Sequence, residues 1–362
     1  MKNRIISVDI FRGLTIVLMI LVNTPGTWSN VYAPLLHANW HGYTPTDLVF
    51  PFFLFIVGTS IVFAYQNKEA NAASYRKISV RTLKLIGLGL FLGAFTIAFP
   101  FFKDFGEIRF PGVLQRIGVV FFFAAVLFLN FNWKALLGIC IALLVGYWLW
   151  LGFIPVEGVD PTFDRAPNNW ANYIDLNVFG SHMYKDDYDP EGLLSTIPSI
   201  ASSLLGIFTG LILLSKRAKK ELILAALGVA MILLGHLWDL AFPINKALWT
   251  SSFVIVTAGW GNLFLALIYY LTDVKGIKFG SIFSYAGANA ITVYFLSSFI
   301  SKIFYSINVS GQTSLHQWLF ENIYLHDFMS AEFSSLLYGL TVVSFYLLLA
   351  YILYKKKIFI KV

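Results

Sequence analysis

Residues 48–66 read Leu48-Val49-Phe50-Pro51-Phe52-Phe53-Leu54-Phe55-Ile56-Val57-Gly58-Thr59-Ser60-Ile61-Val62-Phe63-Ala64-Tyr65-Gln66, without one charged side chain. At 1.5 Å per residue a helix of this run is about 28 Å long, close to the thickness of a bilayer's hydrocarbon core. The run is apolar on every side, so its surroundings must be apolar as well. Reading outward for similar runs gives about ten, near residues 8–24, 48–66, 82–102, 113–131, 134–154, 193–214, 222–241, 248–271, 280–303 and 334–354. The first is the least apolar at its start, because Asp9 and Arg12 sit in its opening turns. The short alternating segments of membrane barrels are missing, which leaves helices as the spanning element. The expectation is an all-α polytopic membrane protein built as a single domain over 1–362.

Composition agrees. Of 362 residues, 58% are hydrophobic, 17% aromatic and only 12% charged, against roughly a quarter charged in soluble domains. That balance excludes a soluble enzyme, a disordered chain and a nucleic-acid-binding module. The single cysteine, Cys140, excludes an internal disulfide and a multi-cysteine metal site, and its apolar neighbours predict a small buried residue. Met1-Lys2-Asn3-Arg4 precedes a hydrophobic run, but no small-residue cleavage site closes it, so a cleavable signal peptide is not expected.

The formal charge of +7 reflects topology. With the N-terminus in the cytoplasm, ten spans return the C-terminus there, and 19 of the 26 lysines and arginines fall on the cytoplasmic side, among them Lys2, Arg4, Arg76, Lys77, Lys216, Arg217, Lys355 and Lys361. Lys103, Arg109, Arg165, Lys185, Lys246 and Lys302 fall on the other side, Arg116 lies inside a span, and most carboxylates face outward. This is the positive-inside pattern, and it needs no polyanionic partner. Extracytoplasmic loops are expected at about 24–47, 155–192 and 304–333. The second is rich in Asp, Asn, Pro and Tyr and reads as folded but non-helical. The third is amphipathic, with Trp318, Phe320 and Tyr324, and reads as lying along the interface. No internal repeat and no pattern of interrupted helices is visible, which disfavours a secondary transporter.

Polar groups in or beside the membrane are expensive and therefore informative. Asn23, His37, His41 and Asp47 cluster at the outer face, between spans one and two. A neutral imidazole at His37, among apolar and aromatic neighbours, suits either a general base or a nucleophile that is briefly acylated; the bland reading is an interfacial histidine bonded to a loop carbonyl. His37 and His41 have the spacing of metal ligands on a helix, but Gly42 and Pro45 argue against a helix there, and no metal is expected. Asp47 suits an N-cap as well as a site residue. Arg109 and Arg116, seven apart, share a helical face, and their forked guanidinium groups suit phosphate or carboxylate; otherwise Arg109 snorkels and Arg116 pairs with a carboxylate such as Asp47 or Asp239. Asp189 and Glu191, before span six, suit either helix caps or contacts to a sugar's hydroxyls or amine. The His182/Asp187 spacing of glycerolipid acyltransferases falls in a loop and carries little weight. Asn262 and Asn289 read as helix-to-helix hydrogen-bonding groups, and His236 with Asp239 as a polar pair.

Several of these motifs together resemble a known family. Ser7-Val8-Asp9-Ile10-Phe11-Arg12-Gly13, Val22-Asn23, His37-Ala38-Asn39-Trp40, Thr44, Asp47-Leu48-Val49-Phe50-Pro51, Arg109 with Pro111-Gly112-Val113-Leu114-Gln115-Arg116, Tyr188-Asp189-Pro190-Glu191-Gly192, and Pro243-Ile244-Asn245-Lys246 with Leu248-Trp249 resemble the heparan-α-glucosaminide N-acetyltransferase family, as does the ending 350–359. The resemblance implies transfer of an acetyl group from cytosolic acetyl-CoA to a glucosamine-type amine on the far side of the membrane, with its active-site histidine at His37 and the nearby asparagine at Asn23. It implies a bacterial-type relative in the inner (cytoplasmic) membrane, without the extra luminal domain and span of lysosomal members. On that reading Arg109 and Arg116 hold the CoA phosphates or an acceptor carboxylate, Asp47, Asp189 and Glu191 contact the acceptor, and Asn23 orients His37 or donates to the oxyanion. The alternative from another class is a non-catalytic transporter of amino sugars or a partner in envelope assembly. The apolar helices also offer surface for a homodimer.

Overall fold

The structure is a computed structural model and describes residues 5–278 and 280–360; Met1 to Arg4 and Lys361, used above in the charge count and the signal-peptide reading, lie outside the described residues. Thirteen helices follow in order: α1 (Ile6–Asn23), α2 (Val49–Tyr65, entered through a 3₁₀ turn at Pro45–Leu48), α3 (Ala72–Ala94), α4 (Val113–Asn130), α5 (Trp133–Phe153), α6 (Trp170–Phe179), α7 (Thr196–Leu214), α8 (Lys220–Asp239), α9 (Ser251–Tyr269), α10 (Ser281–Ala288), α11 (Ala290–Ser306), α12 (Leu315–Leu319) and α13 (Ala331–Lys355). Eight helices, α1, α2, α4, α5, α7, α8, α9 and α13, are long and apolar enough to cross a membrane, so the all-α polytopic fold holds.

The bundle is organised around α2, whose side chains are almost all buried. It meets α7 at backbone distance: a Cβ on Gly58 would lie 1.8 Å from the Ser203 carbonyl oxygen, and one on Gly206 would lie 1.9 Å from that of Phe55. Small residues are what let membrane helices approach so closely, since lipid gives apolar side chains no drive to leave it. Outer helices carry the complementary signature. Leu233 and Leu237 of α8 and Phe345 and Leu348 of α13 are exposed, as a lipid-facing surface requires.

Two of the ten expected spans take a different form. The third begins earlier, at Ala72, because the Asn71 side chain caps it by accepting from Ser74 N–H. It ends at Ala94, before Pro100, which cannot continue a helix. Its early turns carry Arg76, Lys77, Arg81 and Lys84, and its last carbonyls receive the Lys302 ammonium, which donates to Leu92 O at 2.5 Å. The ninth is broken at Asn289 into α10 and the 17-residue α11. There the amide side chain turns to the C-terminal segment, donating to Ile358 O at 3.0 Å and accepting from Ile360 N–H at 2.9 Å. The expectation of uninterrupted helices therefore fails at this position, and Asn289 serves the chain end instead of a neighbouring helix.

The long loops also differ from expectation. Loop 155–192 contains α6, capped by Asn169, whose side chain accepts from Ala171 N–H and donates to Thr162 O and Asp164 O. The non-helical reading is thus overturned by a cap and by Trp170 and Ile174, which pack on Tyr147, Leu151 and Phe242. Segment 304–333 forms a small hairpin, β1 (Asn308–Ser310) with β2 (Thr313–Ser314), and then α12. It buries His316 and Phe320 instead of lying flat, while Trp318 stays on the surface.

Candidate active site

The first outer loop is shaped by one carboxylate. Thr44 and Asp47 form a capping box at the turn that opens α2. Asp47 Oδ2 accepts from Thr44 N–H at 3.0 Å and Ala38 N–H at 2.9 Å, so it pulls the chain on both sides of Gly42 toward one point. Gly42 supplies the reversal with φ +87°, and its N–H donates to Ile244 O at 2.7 Å. Only Oδ1 remains, and it lies 2.7 Å from His37 Nδ1. Because the carboxylate can only accept, Nδ1 carries the proton and Nε2 carries the lone pair. Asp47 is 1% exposed and the His37 side chain 47%, so a buried acid holds an accessible imidazole.

Lys246 completes this cluster from the α8–α9 connection. Its Nζ is 3.3 Å from Asp47 Oδ1, 3.0 Å from His37 Nδ1 and 3.3 Å from Nε2. Burial pushes this ammonium below its ordinary range, while the charges of Asp47 and Glu191 act against the shift. His41 goes to a different carboxylate, with Nε2 2.9 Å from Asp164 Oδ1. The structure does not gather His37, His41 and Asp47 into one site, and no group of three metal-ligating side chains occurs among the described residues.

The second outer loop is locked beside the first. Arg109 binds Asp189 through two bonds, at 2.8 and 2.5 Å, and also binds Glu191. Burial opposes the charge of Arg109, but these two carboxylates outweigh it and hold the guanidinium above its ordinary range. Asp189 also accepts from the Tyr184 and Glu191 N–H groups, at 2.8 Å each. Arg165 grips Asp187 at 2.5 and 2.6 Å. Trp40 joins the loops, with its indole N–H on Phe163 O at 2.9 Å and its ring edge-on to Tyr188 at 5.2 Å. Behind them Asp175 is buried, accepting from Leu193 N–H at 2.8 Å. Burial and the Asp189 charge push its carboxyl up to about 7, against the pull of that bond and of Arg116.

Arg116 is 2% exposed. It donates to Gly192 O at 3.1 Å and to Ser195 Oγ, and its guanidinium sits 5.1 Å from the Trp249 ring centre. Among the described residues neither Asp47 nor Asp239 pairs with it, contrary to one sequence reading, and Nε and Nη1 have no partner. Asn23 is likewise not brought to His37: its side-chain N–H donates to Met19 O at 2.8 Å, one turn back in α1. His236 meets the Tyr43 hydroxyl at 3.3 Å instead of Asp239, which accepts from Ile244 N–H at 2.6 Å. His182 bonds Ile108 O and stacks on Phe110. Asn262 links α9 to α7 through Thr209 at 2.8 Å, as expected of a helix-to-helix group.

At the opposite end of α2 lies a cavity of about 840 Å³. Phe53, Ile56, Val57, Ser60, Ile61 and Tyr65 of α2 form one wall. Arg12, Arg76, Lys77, Arg81 and Lys84 line it, five cations around a space that is otherwise mostly apolar. The Arg81 guanidinium lies 4.5 Å from the Phe121 ring centre, and its buried Nε has no partner among the described residues. A buried cation with unused donors suits an anion with many acceptor oxygens. Along the axis of α2, Phe53 is about 9 Å from Asp47 and Tyr65 about 27 Å, so the cavity and His37 are reached from opposite ends of one helix.

The fold and site thus define a multi-span membrane protein with an acid-held imidazole toward one end of α2 and a cationic cavity toward the other. Residues 4–236 match the family described as "Heparan-alpha-glucosaminide N-acetyltransferase, catalytic", and the chain belongs to that family. It is 32% identical over 421 aligned positions to the human protein named heparan-alpha-glucosaminide N-acetyltransferase, covering 99% of this chain and 60% of the relative. It is 31% identical to the mouse protein of the same name, covering 99% and 61%. The chain thus spans about three-fifths of the length of these curated relatives.

Two features near His37 and α2 leave little trace in the sequence. Lys246 was visible only as a basic residue on the outer side, within Asn245-Lys246 ahead of Leu248-Trp249. The cavity cations looked like ordinary positive-inside charges. The periodicity of Lys77, Arg81 and Lys84, which repeats at four and three residues, was the signal that they share one helix face.

Proposed function

We propose that this protein is a transmembrane N-acetyltransferase. It moves acetyl from acetyl-CoA, held in the cationic cavity on the cytoplasmic face, to the amine of a glucosamine-type sugar at the outer face, with His37 as base or transient acetyl carrier. The observation that carries this reading is the single helix α2, with His37–Asp47 at one end and the five-cation cavity along the other. Arg76, Lys77, Arg81 and Lys84 would hold the phosphates, and the apolar wall from Ser60 up to Phe53 would take the extended pantetheine arm. The positive-inside count supports a cytoplasmic cavity side, in keeping with cytoplasmic termini and a bacterial inner membrane.

At the other end, His37 is a half-exposed imidazole whose reactive atom is Nε2. It either takes a proton from the sugar amine as that nitrogen attacks the thioester, or it attacks the thioester itself and passes the acetyl on. Asp47 fixes the tautomer and stabilises the imidazolium that forms in either route. In this proposal it takes the orienting role that the resemblance implied for Asn23, and Arg109 holds Asp189 and Glu191 in the outer loop instead of binding CoA. Acceptor contacts then come from the outer-loop rim of Glu191, Trp40 and Tyr188.

The test is CoA release by purified protein in detergent with acetyl-CoA and glucosamine, comparing wild type with His37→Ala. Release by wild type alone is expected. Equal release by both removes His37 from the chemistry. Failure of wild type to bind or consume acetyl-CoA, with glucosamine uptake in vesicles lacking CoA, would favour a transporter. An acetyl-histidine trapped without acceptor would mark the two-step route, and strictly ternary-complex kinetics the direct one.

A further inference from the structure

We propose that Lys246 is a catalytic residue, its ammonium donating to the acyl oxygen as that atom becomes an oxyanion. The inference rests on the acetyltransferase reading above. Three distances constrain the side chain: 3.3 Å to Asp47 Oδ1, 3.0 Å to His37 Nδ1 and 3.3 Å to His37 Nε2. The Nδ1 proton is committed to Asp47, so Nδ1 has no lone pair for the lysine, and the contact there is proximity without a hydrogen bond. Its Nζ lies beside the ring, off the Nε2 lone-pair axis, yet within 3.3 Å of Nε2, the atom that must be free to react.

Placement beside Nε2 does have a chemical use. Any thioester within reach of Nε2, or of an amine losing its proton to Nε2, has its carbonyl oxygen within a bond length or two of the same point. An ammonium 3.3 Å from Nε2 is close enough to turn toward that charge as it develops. The ammonium is 20% exposed on its side chain and is held by Asp47 at one edge, so it is positioned before substrate arrives. Glu191 and Arg116 are the other charged groups that act on it.

In the direct route the sequence balances. The amine lone pair forms the new C–N bond, and the carbonyl π pair moves onto oxygen, where the Lys246 N–H receives it. His37 Nε2 takes the proton from nitrogen. When C=O re-forms, the C–S bond breaks, and the proton on His37 passes to the departing sulfur, giving CoA thiol and the N-acetyl sugar. Lys246 donates a hydrogen bond throughout and ends the cycle still protonated. In the two-step route it serves both the formation and the breakdown of the acetyl-imidazole in the same manner.

The experiment compares wild type, Lys246→Met, Lys246→Arg and Lys246→Ala in the CoA-release assay, the last with and without added ethylammonium. Loss of one oxyanion donor lowers kcat by about 10²–10³-fold. The expected result is a fall of that size for Lys246→Met with KM for acetyl-CoA and glucosamine changed less than about threefold, a smaller fall for Lys246→Arg, and partial, saturable recovery of Lys246→Ala by ethylammonium. Recovery separates chemistry from folding, because a misfolded variant is not repaired by a small cation. Inactive wild type would refute the acetyltransferase reading itself. Active wild type with Lys246→Met within about threefold in kcat, or with Lys246→Ala deaf to ethylammonium, would overturn the inference alone.

Discussion

Replacing Asp47 with Asn probes the site with the least disturbance to the fold. Oδ2 receives two backbone N–H groups, from Ala38 and Thr44, so the asparagine must keep its oxygen there. Its NH₂ then occupies the Oδ1 position, 2.7 Å from His37 Nδ1. Two donors cannot face each other at that distance, so the imidazole moves its proton to Nε2 and accepts at Nδ1. The reactive tautomer would have to give up that new hydrogen bond, worth about 0.5–1.5 kcal/mol, and leave a donor unsatisfied, at about 1–3 kcal/mol. The sum of roughly 1.5–4.5 kcal/mol corresponds to about 10–2,000-fold less reactive tautomer at 1.36 kcal/mol per decade. Loss of the carboxylate opposite a forming imidazolium adds to this, and the same change in a serine-protease triad lowers kcat by about 10⁴-fold. In the CoA-release assay Asp47→Asn should therefore lose at least about 10²-fold in kcat, retain its elution profile in detergent, and fail to recover as pH rises, because the defect is in the tautomer. Activity within about threefold of wild type, or full recovery at alkaline pH, would refute the reasoning.

Other consequences are as direct. The double variant Arg81→Gln, Lys84→Gln should raise KM for acetyl-CoA by roughly tenfold or more, since each lost charge-assisted contact is worth about 1.5–3 kcal/mol before screening, with kcat little altered; an unchanged KM would place the CoA phosphates elsewhere. Gly58→Ala drives a Cβ to 1.8 Å from Ser203 O, so α2 and α7 must part by about an ångström or more. Overpacking of this kind costs about 1–3 kcal/mol, read as a lower midpoint in detergent melts; an unshifted midpoint would contradict the close approach. Asp175, lifted to about 7 from an ordinary 3.8, keeps a proton in the folded protein that the unfolded chain releases. Its contribution is full below about pH 4 and fades as pH rises toward 7. Asp175→Asn, which preserves an acceptor for Leu193 N–H, should flatten the pH dependence of the melting midpoint between about 4 and 7; slopes identical to wild type would contradict the shift.

What could be read from the sequence follows from the range of each force. Helices such as α2 and α5 announce themselves because twenty apolar residues have one solution in lipid. The break at Asn289 does not, because it depends on hydrogen bonds to Ile358 and Ile360, about seventy residues away in sequence. Likewise α6 hides in a polar loop because its support is long-range burial against Tyr147 and Phe242. His37 was legible as a polar group in an apolar setting, whereas its protonation logic was not, since it is set by a carboxylate ten residues on and an ammonium more than two hundred away. Arg109 shows a different limit: its residue type suits an anion, and only the structure shows that Asp189 and Glu191 lie against it.

The most direct test of the central claim, that one helix joins a cytoplasmic CoA cavity to an outer-face histidine, is sided transfer. Wild type would be reconstituted with the Arg76–Lys77 face outward, labelled glucosamine enclosed within the vesicles and acetyl-CoA added outside. Labelled N-acetylglucosamine should accumulate inside with wild type and not with His37→Ala. Product formed only when both substrates are on the same side of the membrane would contradict it.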